Sequence, residues 1–173
     1  GIGQTRWVGT SMGGLIGIFL AADRMKDRIA RLVVNDIGPD IPSAGAERIA
    51  AYVGSPPVYD TVAELETWLR RNYAPFGDNT EAFWRRMTDT SVRRTGDGRV
   101  TVHYDPQIAS QSTHHKADLD VWDKYDAVTA PMLLIRGASS DVLAAATAEE
   151  MTRRGPKPRL VTIDGCGHAP TLA

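Results

Sequence analysis

Three residues in this chain have the types and surroundings that acyl-transfer chemistry needs. Ser11 sits in Gly9-Thr10-Ser11-Met12-Gly13, between an apolar run and a stretch of small and aliphatic residues. Asp141 follows Leu134-Ile135-Arg136-Gly137-Ala138-Ser139-Ser140, and His168 closes Gly165-Cys166-Gly167-His168. A serine hydroxyl is a weak nucleophile until a neighbouring base takes its proton, and the base works best when a carboxylate orients it. Singly, each residue has an ordinary alternative. Asp141 fits a turn or helix cap, and His168 fits a surface loop.

The elements that would position them are readable. Thr5 to Val8 predicts a strand, and Leu15 to Ala22 a buried helix. Reversing from strand to helix within five residues forces Ser11 into a strained backbone conformation. Glycines two residues to either side are expected to let the two backbones approach. The serine oxygen is then held at the carboxyl end of the strand, where the helix start offers N–H groups to a developing oxyanion. Such a strand–Gly-x-Ser-x-Gly–helix unit is the nucleophile elbow.

A second strand follows at Leu32 to Asp36, which makes a βαβ unit and a parallel sheet. Alternation then stops from Ser43 to about Val128. Helices are predicted over Ala44–Tyr52, Thr61–Tyr73, Thr80–Ser91 and Asp118–Tyr125, and an extended run over Val100–Tyr104. Strands return at Met132–Arg136 and Leu160–Ile163, with a helix at Ala144–Arg153 between them. Ser11, Asp141 and His168 each lie just past the carboxyl end of a strand, where open α/β sheets bind ligands.

Together these pieces resemble the α/β-hydrolase fold family, in its cap-bearing branch of serine hydrolases. The resemblance rests on Gly9-Thr10-Ser11-Met12-Gly13-Gly14, on Leu134 to Asp141, and on Gly165-Cys166-Gly167-His168. It implies a partial α/β-hydrolase fold, with a parallel sheet of about four strands, helices on both faces and an inserted helical cap. Residues 1–42 and 129–173 would form the core, and residues 43–128 the cap. Family members begin with further strands, whose His-Gly loop completes the oxyanion hole, and usually end with a helix after the histidine. This sequence matches neither part, so it reads as a fragment with Thr5–Val8 as an exposed sheet edge and little esterase activity alone.

The resemblance implies Ser11 as nucleophile, His168 as general base and Asp141 as the acid that orients it. Met12 would supply one oxyanion N–H. Asp36 also ends a strand, and some relatives of this fold carry their acid there. Asp141 ranks first because it holds the more usual position, which leaves Asp36 to shape the pocket. Trp122, in or near the cap, is a candidate substrate contact, although tryptophans at helical positions more often belong to the core. A serine nucleophile sets the chain apart from the dehalogenase and epoxide-hydrolase branches, which use an aspartate. The expected substrate is a small, fairly apolar ester, amide or carbon–carbon bond. The alternatives are a ligand-binding or receptor protein on the same fold, or a triad-based acyltransferase, peroxidase or hydroxynitrile lyase.

Composition narrows the partners. The net charge of −1 shows no excess of positive charge for nucleic acid. The run Gly13 to Ala22 is too short to cross a bilayer, so no membrane partner is expected. No cofactor is implied, and His114-His115 have no partner at metal-ligand spacing. The lone cysteine, Cys166, reads as a packing residue and fits a cytoplasmic location. Oligomeric state leaves no signal.

Overall fold

The computed structural model describes residues 3–109 and 120–172. Its organising element is a four-stranded parallel sheet. The strands are β1 (Thr5–Thr10), β2 (Ile29–Asn35), β5 (Met132–Gly137) and β6 (Arg159–Ile163), side by side in chain order. Helix α1 (Met12–Ala22) crosses from β1 to β2. Helices α5 (Trp122–Asp126) and α6 (Ala145–Met151) flank β5 in sequence.

The pleat decides what the sheet buries. Leu32 and Val34 of β2 pair in register with Met132 and Leu134 of β5, and all four point into one apolar cluster. Ile18 and Ala21 of α1, Tyr125 of α5, and Ala148 and Met151 of α6 complete that cluster. The intervening residues Val33, Leu133 and Ile135 are half-buried. β1 lies at the sheet edge, as expected, and its Val8 is 70% exposed. Met12, Ile16 and Phe19 continue an exposed apolar strip along α1.

The elbow is tight because two backbones touch. A Cβ on Gly9 would lie 2.2 Å from the Gly13 carbonyl oxygen. Gly14 is similarly confined, with Ile37 2.7 Å from its would-be Cβ. Gly13, expected from sequence to be required, has open space at that position. The glycines that let helix meet strand are therefore Gly9 and Gly14.

Residues between β2 and β5 build a second unit with its own core. Helices α2 (Ser43–Val53), α3 (Val62–Asn72) and α4 (Glu81–Ser91) are joined by a two-stranded antiparallel ribbon, β3 (Val92–Arg94) with β4 (Val100–Val102). The ribbon is separate from the main sheet. Leu65, Trp68 and Leu69 of α3 pack on Val100 and Val102. The start of α3 is fixed by a capping box: Thr61 Oγ1 accepts from the Glu64 N–H, and the Glu64 carboxylate accepts from the Thr61 N–H.

This inserted unit is fastened to the strand ends at two places. Arg48 of α2 donates to both oxygens of Asp141, at 2.6 and 2.9 Å. The helix can approach because Gly45 lacks a side chain: its Cβ would lie 2.3 Å from the Asp141 carbonyl oxygen. The Gly167 N–H donates to the Pro75 carbonyl at 2.8 Å, which ties the turn after α3 to the loop carrying His168. Among the described residues, no helix is long and apolar enough to cross a membrane.

Three substitutions test these contacts. Gly9→Ala drives a methyl into backbone, so urea unfolding should show a loss of about 3 kcal/mol or more, or no folded protein. Gly13→Ala should be neutral or slightly stabilising. The Arg48 guanidinium holds the Asp141 carboxyl below the usual carboxylate range. A depressed folded-state pKa contributes stability that is fully present above the unfolded value of about 3.9 and lost as pH falls through the folded one. The pair is partly exposed, so Arg48→Ala should cost at most about 1 kcal/mol at neutral pH. That difference should vanish as the pH is lowered through the Asp141 titration, below the ordinary carboxylate range.

Candidate active site

Ser11 has φ 52° and ψ −124°, a conformation L-residues adopt only under constraint. The constraint is visible on both sides. Its N–H continues the parallel ladder by donating to the Asn35 carbonyl at 2.9 Å. Its own carbonyl accepts from Gly14 and Leu15 at 2.8 and 3.1 Å, which starts α1. Trp7 Nε1 adds a bond to the Gly13 carbonyl at 2.9 Å. Met12 is the first residue of α1, where backbone N–H groups lack a partner within the helix.

Positive φ marks the neighbouring loops as well. Among the described residues, four non-glycines adopt it: Ser11, Asp36, Lys157 and Ala169. Three of the four carry or adjoin the proposed chemistry. Asp36 ends β2 beside Ser11, and Ala169 follows His168.

His168 is almost fully buried, and its Nδ1 lies 3.0 Å from Asp36 Oδ2. Asp36 itself has no exposure. Its Oδ1 accepts from the Gly137 N–H at 2.9 Å, and its Oδ2 also accepts from the Ser140 hydroxyl at 2.5 Å. A buried carboxylate needs such donors, because desolvation without them costs several kcal/mol. The ring of Phe76 meets the His168 ring edge-on at 6.3 Å between centroids, and Tyr73 stacks on Phe76 at 4.9 Å. With Nδ1 engaged by Asp36, the other ring nitrogen, Nε2, is left for proton transfer.

Asp141 is the residue expected from sequence to orient His168. The carboxylate on the ring is Asp36, while Asp141 is taken by Arg48. The turn after β5 explains the exchange. Buried Arg136 donates from Nε to the Leu143 carbonyl at 2.8 Å and from Nη1 to the Ala138 carbonyl at 3.1 Å, which fixes the loop. Ser140 then meets Asp36, and accepts from the N–H groups of Val142 and Leu143. The next residue, Asp141, meets the inserted unit instead. So the β5 loop serves the histidine, but through Ser140.

Trp122 is the candidate substrate contact from sequence, with core packing as the commoner role for such a tryptophan. It packs against the main core, edge-on to Tyr125 at 5.5 Å, with the Arg154 guanidinium 4.2 Å above its ring. Cys166 is buried, as a packing residue should be, and burial pushes its thiol pKa up. The pair His114-His115 lies outside the described residues.

Other residues at the site carried no signal in the sequence. Asn35 is fully buried, and its Nδ2 bridges Thr10 Oγ1 at 3.0 Å and Thr171 Oγ1 at 2.9 Å. One amide thus braces the residue before Ser11 against the loop after His168. Gly137 lets that loop pass, since its Cβ would lie 1.9 Å from the Gly167 carbonyl oxygen. Asn35 and Gly137 looked like ordinary strand-end residues, and only the crossing of distant loops gives them a task.

Comparison with known proteins agrees with this architecture. The chain is 37% identical to a 3-hydroxybutyrate-oligomer hydrolase of Cupriavidus necator, over 96% of this chain and 59% of that protein. It is 32% identical to an esterase of Mycobacterium tuberculosis, over 94% of this chain and 54% of that protein. It therefore spans a little over half the length of these curated relatives. The crystal structure of an alpha/beta hydrolase from Novosphingobium aromaticivorans superposes with a TM-score of 0.82 at 36% identity, over 95% of this chain and 59% of that one. The family-wide match runs from residue 2 to residue 173. This chain belongs to the alpha/beta hydrolase family.

Proposed function

We propose that the whole protein is a serine hydrolase that cleaves small esters, with Ser11 as nucleophile, His168 as general base and Asp36 as its orienting acid. The observation that carries the reading is the buried Asp36–His168 pair at the end of the strand whose last residue, Asn35, accepts from the N–H of the strained Ser11. Relatives named as hydrolases and esterases support the ester class. The first of these is named for hydrolysis of an oligomer of 3-hydroxybutyrate, a short hydroxy acid whose oligomers are esters.

In this reading Ser11 Oγ attacks the carbonyl carbon while His168 Nε2 takes the hydroxyl proton. Asp36 keeps Nδ1 protonated and stabilises the imidazolium that forms. The carbonyl π pair moves onto oxygen, where the Met12 N–H at the head of α1 receives it. Collapse breaks the bond to the alcohol, which leaves with the proton from His168. Water then attacks the acyl-serine and gives its proton to His168, which passes it to Ser11 Oγ as the bond to the acyl group breaks and the acid leaves. Ser140 and the Gly137 N–H hold the Asp36 carboxylate in place throughout.

Hydrolysis of 4-nitrophenyl butyrate by the whole protein, with fluorophosphonate labelling of Ser11, tests the assignment. Asp36→Asn should lower kcat by about a thousandfold or more. Asp141→Asn should lower it less than about tenfold, as expected for a residue that only fastens α2. If Asp141→Asn is the crippling change and Asp36→Asn is mild, the acid assignment is wrong. If the wild-type protein neither labels nor turns over ester, the hydrolase reading falls.

A further inference from the structure

A cleft of about 370 Å³ opens inside the inserted unit, between α2 and the last turn of α3. Tyr52 and Trp68 form its aromatic walls, with ring centroids 6.2 Å apart and planes at 81°. Arg48, Arg71, Ser55 and Asn72 supply its polar groups, and no carboxylate lines it.

The two arginines differ in what they are free to do. Arg48 spends Nε and Nη2 on Asp141, which neutralises its charge and leaves further N–H groups on the guanidinium. Arg71 forms no ion pair among the described residues. Its neighbour Arg70 shows the contrast, since it is held by both Glu66 and Glu81. Glu64 lies across a second, smaller recess that shares Arg71, but its carboxylate is engaged by the Thr61 cap. Glu64 keeps its negative charge there, outside the cleft, so within the cleft Arg71 is the arginine without an ion-pair partner among the described residues.

The position of the cleft connects it to the chemistry. Pro75 forms part of its lining, and the Pro75 carbonyl holds the Gly167 N–H beside His168. The next residue, Phe76, packs on the His168 ring. At the other side Arg48 is bound to the turn whose Ser140 holds Asp36. The cleft lining thus reaches the loop that carries His168 through Pro75 and the turn that holds Asp36 through Arg48, and its volume falls in the range of small-ligand sites.

We propose that this cleft binds the carboxylate end of an ester substrate that carries a free acid group, with Arg71 as its charge partner. Arg48, Tyr52 and Ser55 supply further donors, and Trp68 packs against the aliphatic chain. The inference rests on the hydrolase reading above and narrows its substrate class to acid-bearing short-chain esters.

Binding and turnover of two probes separate the claims: monomethyl glutarate, which has a free carboxylate, and methyl butyrate, which has none. Binding is read from tryptophan fluorescence in a Ser11→Ala background of the whole protein, where no turnover occurs. Monomethyl glutarate should bind more tightly than methyl butyrate. Arg71→Ala should weaken monomethyl glutarate about tenfold relative to methyl butyrate, and Arg71→Lys should restore most of the difference. With Ser11 present, the ratio of kcat/KM between the two esters should fall in parallel, through KM. Equal affinity for the two probes, or an equal loss of both on Arg71→Ala, overturns the carboxylate site. Preferential binding with no turnover of either ester upholds the site and overturns the hydrolase reading alone.

Discussion

The structure turns on one buried carboxylate. Asp36 has no contact with solvent, so its charge must be met by protein donors or carry a large desolvation cost. Three donors converge on it, each from a different part of the chain: the Gly137 N–H at the end of β5, the Ser140 hydroxyl in the following turn, and His168 from the loop after β6. Satisfying Asp36 therefore aligns three strand ends. The positive φ of Asp36 belongs to the same constraint, because the residue leaves β2 in a conformation held by these partners. Asn35, one residue earlier, ties the elbow strand to the histidine loop through Thr10 and Thr171. Two consecutive residues at the end of β2 thus organise the whole sheet edge.

The inserted unit completes that edge from above. Its links to the core among the described residues include the Arg48–Asp141 pair, the Gly45 contact and the Pro75–Gly167 bond. Each lies within a few residues of a group that serves His168. Phe76 extends an aromatic stack of Tyr52, Tyr73 and Trp68 down to the imidazole, which limits water around it. The site is thus bounded by two cores that fold around different clusters and meet at the strand ends.

Much of this was legible from residues alone, for physical reasons. The elbow announces itself because a strand-to-helix reversal around a serine admits so few residues. The four parallel strands are apolar runs of the right length, and their order side by side is what the resemblance to the α/β-hydrolase fold implies. Helix α3 shows its period in Val62, Leu65 and Leu69, whereas its Thr61–Glu64 box became visible only in the structure. The acid was not decidable, because Asp36 and Asp141 both follow strands and both suit a carboxylate's role. What separates them is where Ser140 and buried Arg136 direct the β5 turn, a long-range outcome that local pattern does not encode. The ribbon strand Val92–Arg94 escaped notice because it is three residues long, abuts a helix and carries two arginines. Gly13 was credited with a close approach that Gly14 makes instead, since motif spacing does not reveal which glycine faces the neighbouring backbone.

The pairing of Asp36 with His168 can be observed without reference to any substrate. In the whole protein, nitrogen-15-edited proton NMR should show a low-field resonance for the His168 Nδ1 proton, shifted by its bond to a buried carboxylate. The account predicts that this resonance persists in Asp141→Asn and disappears or moves upfield in Asp36→Asn. Its loss in Asp141→Asn, with retention in Asp36→Asn, would contradict the account.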